Sequence, residues 1–201
     1  MQREAFLGHL RQALAAAPPL ATVHPPPPPP AAVPRVRWRR DERTLIERFD
    51  AALADVSARL VTLAELPAVL DELEVRSAVV TTEALALPAG IERLGPDRIA
   101  DADAGVTHAV GACAATGTLV LAASGEEPRT ASLLPRLHVV AVDGDTLVEG
   151  PGDLLRELSR RYPDGLPSAL TLVTGPSRSA DIGGELVLGV HGPLALVVVL
   201  I

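Results

Sequence analysis

Apolar residues recur at helical spacing at the start of the chain. Ala5, Phe6, Leu10, Ala13, Leu14 and Ala17 fall on one face and predict an amphipathic helix over 1–17. The pattern then stops. Pro18, Pro19, six consecutive prolines at 25–30 and Pro34 give no regular donor spacing and predict an extended linker over 18–34. Helical spacing resumes with Leu45, Ile46, Phe49, Leu53, Val56 and Leu60, behind a Thr44…Glu47 capping box. A further helix is expected over 63–73. Short apolar runs follow at 77–81, 106–111, 117–122, 137–142, 169–174 and 194–201, and each reads as a buried strand. A short helix over 129–134 is stopped by Pro135. A helix capped by Asp153 carries Leu154, Leu155, Leu158 and Tyr162. Strands alternating with helices predict an α/β domain over 35–201, a three-layer sandwich around a mostly parallel sheet.

Composition narrows the chemistry. All 18 basic side chains are arginine, so mechanisms that need a lysine amine are excluded. The formal charge of −7 disfavours nucleic acid as a partner. The basic run at 35–40 is followed at once by Asp41 and Glu42 and reads as a solvated lead-in. Aromatic residues are 2% of the chain, too few for base-stacking platforms, so the core must be aliphatic. The single Cys113 excludes an internal disulfide or a cysteine-ligated cluster within this chain, and no cofactor is expected in it. His108, Cys113 and His138 lack metal-ligand spacing, and no metal site is expected. Polar residues at Gly8–Gln12 interrupt the first helix, which therefore does not read as a secretion signal. The apolar run 194–201 is far short of the roughly 20 residues that span a bilayer. The expectation is a cytoplasmic chain with no membrane span.

Three stretches hold more small and polar residues than packing demands. Thr116, Gly117 and Thr118 lead into a strand, where glycine permits close backbone approach and the hydroxyls can bond a ligand. Gly175, Pro176, Ser177, Arg178, Ser179 and Asp181 follow the end of an apolar strand, the place where α/β sheets bind ligands. There Ser177 or Ser179 is expected to cap a helix, and Arg178 to hold a carboxylate or phosphate, oriented by Asp181. His191 and Gly192 form the third stretch, and His191 is the candidate for titration near neutral pH. His191, Asp181 and Glu126 are the candidate catalytic groups. The absence of a G-x-S-x-G elbow argues against that class of hydrolase.

Taken together, these motifs resemble the LUD domain of the lactate utilisation protein C family. The resemblance rests on Thr116-Gly117-Thr118, on Arg129 with the Leu-Pro-x-x-His element Leu134 to His138, on the 174–182 stretch and on Gly189 to Pro193. It covers about residues 40–201 and departs from the family pattern at Ala115 and Gly183. It implies a fold similar to the ribose-5-phosphate isomerase and CoA-transferase group. It also implies membership of a system that oxidises L-lactate to pyruvate beside iron–sulfur partner subunits, and with the residues above the expectation is an accessory subunit that binds a small carboxylate or phosphate. The alternative is a stand-alone acyl-transfer or isomerase-type enzyme on the same scaffold.

Overall fold

The computed structural model describes residues 3–16, 42–124, 127–180, 186–189 and 191–201. The expected linker over 18–34 lies outside them. The chain divides into two compact units, Met1–Trp38 and Arg39–Ile201. The first contains helix α1 (Arg3–Ala16), with Glu4 in its first turn, where the helix dipole favours an acid.

The second unit begins with α2 (Leu45–Asp55). Thr44 accepts from the Glu47 amide while the Glu47 carboxylate accepts from the Thr44 amide at 2.7 Å, so the expected capping box is present. Phe49 and Leu53 are its buried residues, whereas Leu45 and Ile46 face outward. Then come β1 (Arg59–Val61) and α3 (Leu66–Glu72). Strands β2 (Ser77–Val80), β3 (Glu92–Arg93), β4 (Ala104–Ala109), β5 (Gly111–Cys113), β6 (Thr118–Ala122), β7 (Leu137–Val142) and β8 (Leu147–Val148) follow. Helix α4 (Pro151–Arg161) precedes β9 (Leu170–Thr174), β10 (Arg178–Ala180), β11 (Leu186–Leu188) and β12 (Ala195–Leu200). Helix α4 starts on Gly150 with proline in its first turn. Asp153 lies inside that turn, where it pairs with Arg156, and is not the cap. The segment expected as a helix at 129–134 is a 3-10 turn, Arg129–Ser132.

Six strands form one parallel sheet in the order β1-β12-β7-β4-β2-β3. Its centre is the aliphatic run of β7 and β12, buried on both faces as parallel strands require. Alternate residues divide between two cores. Val139, Ala141, Val197 and Val199 pack with Val106 against Leu66, Val69 and Leu70 of α3. Val140, Val142, Leu196 and Val198 pack against Phe49 and Leu53 of α2 and against Leu119 and Leu121 of β6.

The expected α/β class and parallel sheet are therefore present, but the second face is covered differently from a helical layer. The apolar run at 106–111 breaks at Val110. Its first part stays in the parallel sheet, and β5 joins a mixed four-stranded sheet, β8-β5-β6-β9. Val110 donates to the Val120 carbonyl at 2.8 Å and marks the crossing. The runs at 117–122 and 169–174 also belong to this second sheet, where β6 and β9 are antiparallel. Helix α4 covers its outer side through Leu154 and Leu158. Strands β10 and β11 form a separate antiparallel pair.

Candidate functional site

Between the parallel sheet and β9 lies a cleft of about 250 Å³. Three segments distant in sequence meet there. Ser132 and Leu133 come from the end of the 3-10 turn, Thr171 to Ser177 from β9 and its loop, and His191 to Pro193 from the turn before β12. Backbone bonds stitch the loops together. The Ser177 amide donates to the Pro193 carbonyl at 2.9 Å, and the Gly189 amide to the Ser177 carbonyl at 3.0 Å. A Cβ on Gly192 would lie 3.1 Å from Ser177 Cβ.

The floor contains His138 and Leu196, each the second residue of its parallel strand. The cleft thus opens at the amino ends of β7 and β12. The expectation from strand ends does not hold, because β9 lies outside the parallel sheet. Nor does a helix follow Ser177. Residues Arg178–Ala180 are strand, with Arg178 paired opposite Leu188. Ser177 has its amide on Pro193, so the helix-amide route to anion binding is absent at that residue.

The motif glycines serve a purpose different from ligand approach. Gly117 (φ +65°) sits where a Cβ would come within 3.0 Å of the Ala52 backbone, and Gly175 (φ +76°) where one would come within 2.6 Å of the Val56 carbonyl oxygen. Both turns are pressed onto the end of α2, in a left-handed conformation that side chains disfavour. Arg178 joins the same contact. Its guanidinium donates to Ser57 Oγ at 2.5 Å, and it is not among the residues that line the cleft. Pro176 is buried beside it.

The hydroxyls do converge. Thr116 Oγ1 lies 2.7 Å from Thr118 Oγ1, which lies 2.8 Å from Thr174 Oγ1 in the cleft wall. The strand register places Thr118 directly opposite Thr174. Thr116 and Thr118 therefore reach the cleft only through Thr174. Gly175, Ser177, His191 and Gly192 line it directly, with His191 exposed. The side chain of Ser179, and residues Asp181 and Glu126, lie outside what is described.

Ser132, Thr171, Thr174 and His138 line this site and were not among the candidates. His138 is completely buried, its Nε2 2.9 Å from Thr107 Oγ1, and it lines the cleft. Burial with no opposing charge pushes its pKa down to about 3, so the ring is neutral across the physiological range. Its sequence signal was a polar residue inside a run of six buried positions, at the end of the Leu-Pro-x-x-His element. Among the described residues no cluster of three or more His, Cys, Asp or Glu is placed to hold a metal ion. No helix among them is long and apolar enough to cross a membrane.

A family model described as the LUD domain matches residues 88–201, which contain every segment of the cleft. The chain belongs to the LUD-domain family. The LUD chain is 39% identical over 100 residues to a lactate utilization protein C of Halalkalibacterium halodurans, covering 49% of this chain and 44% of that one. It is likewise 39% identical over 99 residues to the protein of that name in Bacillus licheniformis, covering 48% and 41%. The matched part is thus less than half the length of these relatives. The fold is similar to the crystal structure of a DUF162 family protein from Deinococcus radiodurans, with a TM-score of 0.57 at 24% identity, over 78% of this chain and 95% of that one.

Proposed function

We propose that this LUD-domain chain is an accessory subunit of an L-lactate utilisation system, working with iron–sulfur partner proteins in the oxidation of lactate to pyruvate. In this reading the cleft takes a small hydroxylated anion. The supporting observation is the convergence of three motif segments on one cleft around a buried neutral imidazole. Hydroxyls of Ser132, Thr171, Thr174 and Ser177 suit a ligand hydroxyl. Arg178 supplies the charge by exchanging Ser57 for the ligand carboxylate. The Arg178–Ser57 bond has one charged partner, whereas a ligand carboxylate would give the guanidinium an oppositely charged, bidentate one. His191, at the rim, is the ligand contact or proton donor. This reading takes the scaffold to be similar to the ribose-5-phosphate isomerase and CoA-transferase group and the system to be cytoplasmic.

Isothermal titration with L-lactate, pyruvate and phosphorylated metabolites tests the binding part. Saturable binding of a carboxylate that weakens about tenfold in Arg178→Ala is expected. Equal affinity in both proteins removes the charge role from Arg178. The partner part is tested by co-purification with the iron–sulfur proteins and by loss of growth on lactate after deletion. Turnover of a CoA ester or sugar phosphate by the purified chain alone would instead favour a stand-alone enzyme.

A further inference from the structure

His138 and Thr107 leave the parallel sheet on the same face. His138 is in register with Gly105, two residues before Thr107 on β4. Thr107 Oγ1 lies 2.9 Å from His138 Nε2, and both residues are buried. On the other side Leu196 of β12 is in register with His138 and offers no polar group. The second ring nitrogen, Nδ1, has no hydrogen-bond partner among the described residues. No side-chain nitrogen or oxygen sealed from solvent among those residues lacks a partner. Nδ1 therefore borders open space, and the cleft is the described cavity that the ring lines.

We propose that Thr107 is a positioning residue: its hydroxyl donates to His138 Nε2 and holds the ring proton on Nδ1, so that the cleft floor presents a neutral N–H donor. A neutral imidazole has one N–H and one lone pair. Burial keeps the ring neutral, so its two nitrogens must differ. Thr107 decides which is which. A buried hydroxyl needs an acceptor for its hydrogen, and Nε2 is the one acceptor that Thr107 reaches among the described residues. With the Nε2 lone pair so used, the proton belongs to Nδ1. The rival arrangement has Thr107 donating into the small recess that it also lines, which would put the proton on Nε2. An Nδ1–H at the floor selects an acceptor oxygen, whether carbonyl, carboxylate or phosphoryl. It rejects a group that can only donate, such as an ammonium. The wall hydroxyls lack that selectivity, because a hydroxyl can turn to donate or accept. The use of the donor rests on the reading of the cleft as a ligand site; the tautomer does not.

Nitrogen-15 spectra of the intact chain at pH 7 read the tautomer directly, with the His138 signals assigned by their loss in His138→Leu. The wild-type ring should carry its proton on Nδ1 and a hydrogen-bonded lone pair on Nε2. Thr107→Val removes the donor and should lose that preference, populating the Nε2–H form. Thr107→Ser keeps a hydroxyl and should restore it. A wild-type ring protonated on Nε2 would overturn the proposal, whether or not Thr107→Val folds. So would a Thr107→Val spectrum with the wild-type tautomer. Acetate and inorganic phosphate, as acceptor probes, should shift Nδ1 saturably, and methylammonium should leave it unmoved. A shift with methylammonium alone would overturn the donor role. An Nδ1–H ring that no probe moves would support the role of Thr107 and count against the cleft as an anion site.

Discussion

The two faces of the parallel sheet are built from alternate residues of the same strands, yet they differ in kind. The face toward α3 is aliphatic throughout its buried cluster, from Val61 to Val199. The face toward α2 and the mixed sheet carries His138 and Thr107, both buried and bonded to each other. The Thr116–Thr118–Thr174 hydroxyl chain shares the side of β6 that carries Val120, which packs toward α4, and so belongs to the outer side of the mixed sheet. A buried polar group is costly unless bonded, so a fold does not place one where an aliphatic residue would serve. In the proposed reading, binding belongs to the second face and the first serves stability. The contrast also explains the layering. A helix covers an aliphatic face well, whereas a second sheet with an open edge, β9, leaves room for a cleft.

The strongest way to break this contrast is at Gly105, where a Cβ would lie 1.8 Å from the Ala131 carbonyl oxygen. Gly105→Ala should push the 3-10 turn off the second face and cost more than about 3 kcal/mol in urea unfolding. A cost below about 1 kcal/mol would mean the turn is not seated there. Leu70→Ala, on the α3 face, should cost about 3 kcal/mol through its cavity. Ligand affinity should be unchanged, and a fall in affinity would show that the faces are not independent. The pH dependence separates them further. His138 has a folded pKa of about 3 against an ordinary 6.5, so the unfolded chain binds the proton that the folded chain refuses. Its contribution is present above pH 6.5 and is lost as pH falls toward 3, by about 2 kcal/mol between pH 7 and pH 5. His138→Leu should flatten that slope and Leu70→Ala should keep it. Burial alone would raise the pKa of Asp103, but bonds from Arg76, Ser77 and Arg136 outweigh it and hold the value below 3.8. The stability Asp103 adds is present above that pH and lost below it, outside the window that reports His138. The smallest effect is at Thr118→Val, which should cost about 1 kcal/mol and leave Thr174 without its partner. Calorimetry should then show altered ligand enthalpy with little change in melting temperature.

Much of the scaffold was legible from the pattern of residues alone. The runs at β7 and β12 are apolar at nearly every position because both faces are buried, and such runs have few other readings. The Thr44 capping box and the Phe49, Leu53 face fixed α2 within a residue or two. Sheet membership was not legible. Apolar runs such as 117–122 report burial but not the partner strand, so β6 and β9 read as members of the parallel sheet. That misreading set the 175–181 stretch at the carboxyl end of a parallel strand and gave Ser177 a helix to cap. The motifs located three walls of the cleft, because glycine and hydroxyl residues are unusual beside aliphatic strands. Their glycines, though, answer to backbone contacts with Ala52 and Val56, which no local spacing encodes. His138 was passed over because its neighbours are apolar, and only the fold brings Thr107 to its ring.

A buried, neutral His138 at the floor is the feature on which the cleft depends. The nitrogen-15 spectrum of its ring, recorded at pH 5 on the intact chain, tests that most directly. A neutral imidazole with Nε2 fixed by Thr107, unchanged from pH 7, is the predicted result. An imidazolium signal at pH 5, with a midpoint near the ordinary value of 6.5, would place the ring in water and contradict the account.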